Sequence, residues 1–310
     1  MDHSLSLTKQ IKEIAERFSF SHIGIAKADI YEEDNINISS WIDNGYHAQM
    51  EWMKARLSER TNIFKYYPDA KSIIMVTQNY YTGTANSEDK IGKISNYAWG
   101  EDYHLIIKKK LYQLLDEIKK HNSNLNGIAC VDTSPIMEKV WAQRAGIGWM
   151  GKHTNLITKD IGSWFFIGAI VINQELEYDH FFTEDLCGTC TACIDDCPTG
   201  AITEPYQLDS NKCISYLTIE HRGEFPEGYK DMLGGWIYGC DICQEVCPWN
   251  KKFAKQTNEK SFQSRPGVKN KKISDWQNLS EEEYRKLFKG SAIKRTKYSG
   301  LMRNIKANLD

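Results

Sequence analysis

The residues most able to do chemistry are eight cysteines that crowd into positions 187–247 of a 310-residue chain. Their first group is CGTCTACIDDCP at 187–198, with the spacing C-x2-C-x2-C-x3-C-P. In that spacing three thiolates bind one 4Fe-4S cluster, while the fourth reaches a second cluster nearby. The pattern therefore predicts an iron-sulfur protein with two clusters.

The second group, CDICQEVCPWN at 240–250, lacks only the first cysteine of the same run, and Cys213 is available to replace it. Pseudo-twofold pairing then makes each run donate its last cysteine to the other cluster. The predicted ligands of one cluster are Cys187, Cys190, Cys193 and Cys247. Those of the other cluster are Cys197, Cys213, Cys240 and Cys243.

Structural zinc is the alternative, because C-x2-C pairs also occur in zinc ribbons. The Cys-Pro endings and the x2-x2-x3 run favour iron. Disulfides are disfavoured because the clustering of the cysteines suits metal in a reducing compartment. The ninth cysteine, Cys130, stands alone in an apolar run and is expected in the core.

Composition and charge narrow the class of protein. With 41% apolar residues the chain can build real cores, and its formal charge is -2. Residues 251–310 hold 16 Lys or Arg against 6 Asp or Glu, which suggests a polyanionic partner; a merely solvated tail is the alternative.

The N-terminus lacks a signal peptide, and the apolar stretch Trp164–Ile172 is too short to span a bilayer. We expect a soluble, cytoplasmic protein.

Apolar periodicity indicates the elements that must position these residues. A capping box is also indicated between Ser280 and Glu283, with Leu279 and Tyr284 as a hydrophobic staple. The predicted elements are a helix over 7–18, strands over 23–26 and 72–78, a helix over 105–118, a strand over 127–131, a helix capped by Ser134 with Pro135 at its first position, and a hairpin of NLITK and SWFFIGAIVI around 160–162.

These elements predict an α+β chain in three parts. Residues 1–180 form an α/β domain, residues 181–250 a smaller domain organised by metal, and residues 251–310 a short, basic helical segment. In the first part, Asp132 follows the strand at 127–131, where open α/β sheets place ligands and catalytic groups. Its carboxyl is a candidate general acid, with helix capping or turn formation as the alternative.

Two other motifs are near misses. Gly146–His153 imitates a phosphate-binding loop but has His153 where a hydroxyl residue belongs, so we reject nucleotide hydrolysis. Asp102-Tyr103-His104 begins the D-x-H-x-x-G signature of cobalt-ligating corrinoid proteins, but Ile107 replaces its glycine.

Five segments together resemble the epoxyqueuosine reductase family, and the likeness extends over nearly the whole chain. The segments are CVDTSPIMEKVWAQRAGIGWMGKHTNLI at 130–157, the cysteine run at 187–198, TIEHRGEFP at 218–226, CDICQEVCPWN at 240–250 and SAIKRTKYSGLMRN at 291–304.

The resemblance implies a nitroreductase-like α/β domain that cradles cobalamin, followed by a ferredoxin-like domain with two 4Fe-4S clusters. It implies reduction of epoxyqueuosine to queuosine at the wobble position of tRNA, with electrons passing through the clusters to cobalamin. Asp132 would be the proton donor. The implied partners are the tRNA anticodon loop and an unidentified reductant protein, and we expect a monomer that uses no membrane.

The same resemblance implies further site residues. Those expected around cobalamin are Arg60, Tyr97, Asp132, Asn155, Leu156, Ser215 and Asp241. His221 and Arg222 are candidates for touching the anticodon loop. Two departures from the family stand out, because His153 replaces its usual Asn and the tail is too short for the helical repeats of longer members.

Two other functions remain open at this point. A related corrinoid iron-sulfur reductase, such as a reductive dehalogenase, would act on a small molecule, but the basic tail and the absence of an export signal disfavour it. A two-cluster electron carrier would leave the α/β domain without a purpose.

Overall fold

The computed structural model describes residues 3–84 and 91–309. Its helices are α1 His3–Arg17, α2 Glu32–Asp43, α3 Glu51–Ala55, α4 Leu57–Arg60, α5 Ile63–Tyr66, α6 Tyr103–His121, α7 Glu138–Arg144, α8 Ala192–Asp195, α9 Ile214–Ile219, α10 Ile242–Glu245, α11 Pro248–Phe253, α12 Ile273–Trp276, α13 Glu281–Leu287 and α14 Lys297–Ala307. Its strands are β1 His22–Lys27, β2 Ser72–Asn79, β3 Lys93–Ile94, β4 Gly127–Cys130, β5 Trp149–Met150, β6 Leu156–Ile157, β7 Phe165–Ile172, β8 Ile202–Glu204, β9 Gln207–Leu208 and β10 Trp236–Tyr238.

A four-stranded antiparallel sheet in the order β1-β2-β7-β4 forms the centre of the N-terminal part. Side chains along a strand alternate between the two faces. Ile74 and Val76 of β2 therefore pack in the cluster that contains α1 and α6, while Ile73 and Met75 pack in the cluster that contains α7. The sheet is thus covered by helices on both faces.

Most of the predicted elements are present, and two local predictions are wrong. Helix α7 begins at Glu138 with Met137 at its N-cap, rather than at Ser134 and Pro135. The intervening residues form a loop, in which the Asp132 N–H is bonded by the Glu138 carboxylate. The first residue of α7 is thus the one whose carboxylate bonds the loop before it.

The expected hairpin around 160–162 is reduced to a single bridge between Thr158 and Gly162. Strand β6 pairs instead with β5, and β7 joins the central sheet between β2 and β4. An apolar strand such as β7 can be buried on both faces, so its pattern gave no information about which strand is its neighbour.

The cysteine-rich segment is fixed to the sheet by buried polar contacts. The Asn250 Oδ1 accepts the Ser163 N–H at 2.6 Å, and its Nδ2 donates to the Ser163 hydroxyl at 2.9 Å and the Gln244 carbonyl at 2.8 Å. Gly162 has φ +72°, and a Cβ there would lie 2.0 Å from the Asn250 Oδ1. Only glycine therefore fits this close approach.

The C-terminal segment is also packed rather than detached. Strand β10 pairs in parallel with β3, and a shared apolar cluster joins Trp99, Tyr238, Trp276 and Phe288. The predicted capping box is present at α13, where the Ser280 hydroxyl accepts the Glu283 N–H and the Glu283 carboxylate accepts the Ser280 N–H. No helix in the described part of the chain is both long and apolar enough to cross a membrane.

Candidate active site and iron-sulfur ligands

The cysteines fall into two neighbourhoods. Burial raises the pKa of the Cys193 thiol to about 11, and the nearby thiolates of Cys187, Cys247 and Cys190 add to the rise. Cys247 is influenced in turn by Cys187 and Cys190. The first neighbourhood thus combines three cysteines of the first run with the last cysteine of the second.

The second neighbourhood is built in the same way. Burial raises the pKa of the Cys243 thiol, and Cys213, Asp241, Cys193 and Cys197 raise it further. Cys193 therefore belongs to the first neighbourhood but also lies near the second. Cys240 is half-buried beside Cys243 and Cys213. Among residues 3–84 and 91–309, no three His, Cys, Asp or Glu side chains are arranged to hold a single metal ion. A 4Fe-4S cluster needs a different arrangement from a single ion, since each of its thiolate ligands binds a separate iron atom.

Backbone N–H groups point at several of the sulfurs. Cys213 is the N-cap of α9, and the N–H groups of Ser215 and Tyr216 lower its thiol pKa against the larger effect of burial. Cys247 occupies the same position on α11, with Pro248 at N1. The Cys197 Sγ accepts the Ala201 N–H at 3.3 Å. Such donors stabilise thiolates, which are the form that binds iron.

Asp132 lies in the loop between β4 and α7, with φ +50° and a side chain that is 57% exposed. Aspartate tolerates the left-handed region better than most residues. Its Oδ2 lies 2.8 Å from the His104 Nε2. The carboxylate is therefore held on one side by the protein and is open to solvent on the other.

His104 bridges two carboxylates. Its Nδ1 lies 2.7 Å from the Oδ1 of Asp102, which is the N-cap of α6. Its ring stacks on Tyr103 at 4.0 Å between centroids, and Tyr103 stacks on Phe166 at 4.1 Å. Burial lowers the pKa of His104, but the bonds to Asp102 and Asp132 outweigh it and raise that pKa to about 9.

Glu138 and Lys139, the first two residues of α7, lie near Asp132. Burial and the negative charge of Asp132 raise the pKa of Glu138 to about 8. Lys139 donates from Nζ to the Thr154 carbonyl at 2.9 Å and to the Asn155 Oδ1 at 3.0 Å. Burial lowers its pKa, while Cys243, Glu138 and Asp132 raise it. Both side chains also keep solvent-accessible surface. We call the solvent-accessible region bordered by Asp132, Glu138 and Lys139 the cleft.

Arg60 and Tyr97 lie near this cleft. The Arg60 guanidinium is buried and stands 5.4 Å from the centre of the Trp52 ring. Burial lowers its pKa, which the charges of Glu138 and Asp132 oppose. The hydroxyl of Tyr97 donates to that of Tyr238 at 3.3 Å. Burial raises the Tyr97 pKa, with Asp132 among the further contributors.

The residues from 153 to 156 differ in how much of each is available to a ligand beside Lys139. Asn155 faces Lys139, whereas the Leu156 side chain is buried in the core, so only its backbone is available to a ligand. The His153 Nδ1 accepts the Asn155 N–H at 3.1 Å. Burial, followed by the charge of Lys139, lowers the His153 pKa to about 4, so this histidine is neutral.

Asp241 and Ser215 lie beside the second group of cysteines. Asp241 is buried and accepts the Ser95 hydroxyl and, at 2.7 Å, the Asn96 N–H. Burial raises its pKa to about 7, against those two bonds. Ser215 is half-buried at the start of α9, next to Cys213. The bonds from Ser95 and Asn96 to Asp241 therefore hold the segment after β3 against the second cysteine run.

His221 and Arg222 lie on a different rim of the molecule. The His221 Nε2 is 2.7 Å from the Glu224 carbonyl. Arg222 is exposed, and its Nη2 donates to the Arg295 carbonyl at 3.0 Å. Arg295 makes a two-pronged ion pair with Glu220 at 2.8 and 2.7 Å, and Asp132 contributes to its raised pKa. Arg222, Lys294, Arg295 and Lys297 are exposed and form what we call the basic rim, and Arg295 is near enough to Asp132 for their charges to interact.

Two buried polar atoms in this region have no hydrogen-bond partner, the Nε of Arg60 and the Nε2 of His153. An unpaired buried donor is costly, so both atoms are suited to a ligand that carries carbonyl or amide groups. The sequence did not show that the Arg60 and His153 side chains are buried, nor that His104 bonds to Asp132. The pair Asp102 and His104, set aside as a failed motif, was the signal that could have identified the site.

Residues 186–250 match the family model described as a 4Fe-4S double cluster binding domain. This match, with the grouped thiols and the cleft, defines the chain as an iron-sulfur protein of the double-cluster class. Residues 60–133 match a second model, described as Epoxyqueuosine reductase QueG, DUF1730.

Relatives extend that match over the chain. Epoxyqueuosine reductase of Synechocystis sp. is 46% identical over 93% of this chain and 100% of its own length. That of Escherichia coli (strain K12) is 37% identical over 96% of this chain and 79% of its own length. The chain belongs to the epoxyqueuosine reductase family, and its members are oxidoreductases.

Solved structures agree with this assignment. A crystal structure of epoxyqueuosine reductase with an epoxyqueuosine-modified tRNA-Tyr stem loop has a TM-score of 0.89 at 27% identity, over 98% of this chain and 81% of that chain. The Bacillus subtilis enzyme, described as having its catalytic aspartate loop swung out of the active site, also has a TM-score of 0.89 at 27% identity, over 98% of this chain and 82% of that chain.

Proposed function

We propose that this protein reduces epoxyqueuosine to queuosine at the wobble position of tRNA, with electrons delivered through two 4Fe-4S clusters. The carrying observation is that Asp132, exposed and 2.8 Å from His104, lies beside Lys139, whose pKa is lowered by burial and raised by the charges of Cys243 and Cys213 as well as that of Asp132. This placement supports a proton source close to an electron route. Membership of the family and the tRNA stem loop bound by a relative support the substrate.

In this proposal one cluster is held by Cys187, Cys190, Cys193 and Cys247, and the other by Cys197, Cys213, Cys240 and Cys243. The two thiol neighbourhoods support this crossed arrangement. The second cluster would be the one nearer the cleft, because Lys139 is influenced by Cys243 and Cys213. Electrons would enter from a separate reductant protein through the first cluster.

Asp132 is the proposed proton donor to the epoxide oxygen. Its exposed side chain and its bond to His104 support this role, as does the catalytic aspartate loop named for the Bacillus subtilis relative. General acids of this kind contribute about 10²- to 10⁴-fold to a rate.

Cobalamin is the cofactor that the family resemblance implies, and the cleft residues fit it. Arg60 and His153 offer unpaired buried nitrogens, and the corrin ring carries amide side chains that can bond to such groups. Tyr97, Asn155, the Leu156 backbone, Ser215 and Asp241 would complete its surroundings. When bound, cobalamin supplies a low-potential cobalt centre that passes electrons to the substrate carbon.

Recognition of tRNA would fall to the basic rim. Arg222 with His221 would meet the anticodon loop, and the exposed Lys294 and Lys297 lie in the same turn as Arg295.

We also propose the three-part division at 180 and 250, with a nitroreductase-like first domain, and a monomer as the working unit.

Three measurements test this proposal. Anaerobically purified protein should contain eight iron and eight sulfide per chain, as two 4Fe-4S clusters require; zinc without sulfide would contradict the ligand assignment. Added cobalamin should shift the visible spectrum. Given a chemical reductant, the protein should convert epoxyqueuosine in a tRNA stem loop to queuosine, and absence of conversion by the fully loaded protein would refute the function.

A further inference from the structure

The reaction proposed above needs more protons than one carboxyl can hold. To turn an epoxide into an alkene, two C–O bonds break, one carbon-carbon π bond forms and the oxygen leaves as water. This balance takes two electrons, from a one-electron reductant protein used twice, and two protons. Asp132 carries one proton at most, so its second proton must come from elsewhere.

We propose that His104 supplies the protons of each turnover by protonating Asp132, an inference that rests on the proposed function. The Nε2 of His104 lies 2.8 Å from the Asp132 Oδ2, within the reach of direct proton transfer. Solvent reprotonates His104 between the two transfers, so Asp132 delivers both protons in succession. His104 itself does not touch the substrate and acts through Asp132.

Asp102 prepares His104 for this role. Its Oδ1 lies 2.7 Å from Nδ1 and accepts the His104 backbone N–H at 3.1 Å. After Nε2 gives up its proton, the remaining proton stays on Nδ1, so the neutral imidazole keeps one tautomer and one orientation. An aspartate that fixes a histidine tautomer is the arrangement used in Ser-His-Asp sites.

Packing holds the ring where the transfer needs it. Tyr103 lies between the rings of His104 and Phe166, with the Tyr103 and Phe166 planes 5° apart. The Glu138 carboxylate accepts the Asp132 N–H and so holds the loop toward His104. The His104 side chain is 28% exposed, which lets solvent return a proton to it after each transfer.

The charged surroundings keep the proton on His104 near neutral pH. The two carboxylates that it bridges raise its pKa to about 9 against burial. The charged or titratable groups around the pair are Asp102 at the start of α6, Tyr97 and Tyr103, Glu138 and Lys139 of α7, Arg60 of α4, Arg265 beside Asp102, and Arg295 near the start of α14. The proton is therefore available below about pH 9 and lost above it.

The test compares wild type with His104→Gln, which keeps a hydrogen-bond donor but has no proton to give. Single-turnover rates with epoxyqueuosine-containing stem loop are measured from pH 6 to 10. The variant should lose about 10²-fold or more in the limiting single-turnover rate, with the concentration needed for half that rate unchanged. The wild-type rate should stay level up to about pH 9, whereas the variant rate should fall about tenfold per pH unit.

A second variant separates proton supply from simple positioning. His104→Ala should recover part of its rate when imidazole is added to the buffer. His121→Gln is the matched control, since this residue is the exposed last residue of the same helix, and it should behave like wild type.

Two outcomes would overturn the inference while leaving the proposed function intact. One is full activity of His104→Gln beside an active wild type. The other is a lower rate whose pH profile runs parallel to that of wild type, without imidazole rescue, because His104 would then only hold the loop. Inactive wild type would instead refute the proposed function.

Discussion

At the scale of single residues, the site is a set of charges that hold one another in place. His104 lies between Asp102 and Asp132, and Glu138 holds the backbone of Asp132. The loop residue with φ +50° is therefore fixed by bonds at both its side chain and its N–H group. The sequence identified Asp132 by its position after a strand, but it gave no reason to connect His104 with it.

Removing one carboxylate should change how His104 titrates. In wild type its ring should titrate near pH 9, because protonation is favoured by both carboxylates. In Asp132→Asn the midpoint should fall toward the ordinary value of about 6.5. NMR of histidine-labelled protein measures both midpoints. An unchanged midpoint would show that Asp132 is not bonded to His104 in solution.

At the scale of elements, the fold confirms strongly periodic segments and departs from the sequence at weak local signals. The apolar repeat of α6 and the capping box of α13 were predicted because both depend on residues close in sequence. The predicted start of α7 was wrong, since the Glu138 bond to Asp132 stabilises a loop where the sequence suggested the first turn of the helix. The partners of β6 and β7 depend on contacts distant in sequence, which periodicity does not encode.

The contact between α11 and the 158–163 turn should be essential for the cluster segment. Asn250→Ala would leave the Ser163 N–H buried and unpaired and would remove one of the two bonds to the Gln244 carbonyl, which still accepts the Cys247 N–H. An unpaired buried donor costs about 1–3 kcal/mol. Anaerobic denaturant unfolding, followed by tryptophan fluorescence, should show that decrease in stability together with a lower iron content.

Lys251→Ala is the control for this variant, because Lys251 is the exposed next residue of the same helix. It should unfold like wild type. Equal stability of the Asn250→Ala variant and this control would mean that the turn and the cluster segment are not joined as described.

At the scale of the whole molecule, charge is divided unevenly along the chain. Residues 251–310 carry 16 basic against 6 acidic residues, although their apolar side chains pack against Trp99 and Tyr238. The segment thus combines a structural interior with a basic exterior. A basic exterior attracts nucleic acid because binding its phosphates releases counterions.

The basic rim should account for a defined part of tRNA binding. Lys294→Ala with Lys297→Ala should weaken binding of the stem loop and reduce the slope of log Kd against log salt, by about 0.7–0.9 for each phosphate that is no longer neutralised. Lys286→Ala with Lys289→Ala, in or just after α13 and also exposed, should leave the slope unchanged. Binding that does not depend on salt, or equal effects of the two pairs, would contradict this role of the rim.

The central claim is that a cleft containing Asp132 removes the epoxide oxygen of a modified nucleoside in tRNA. Its most direct test is anaerobic turnover of epoxyqueuosine-containing tRNA, with nucleosides analysed by mass spectrometry, for wild type and Asp132→Asn loaded with the same iron, sulfide and cobalamin. Wild type should yield a nucleoside lighter by one oxygen atom, and Asp132→Asn should be slower by about 10²- to 10⁴-fold. An equally active Asp132→Asn variant, or a wild type that leaves the oxygen in place, would contradict the account.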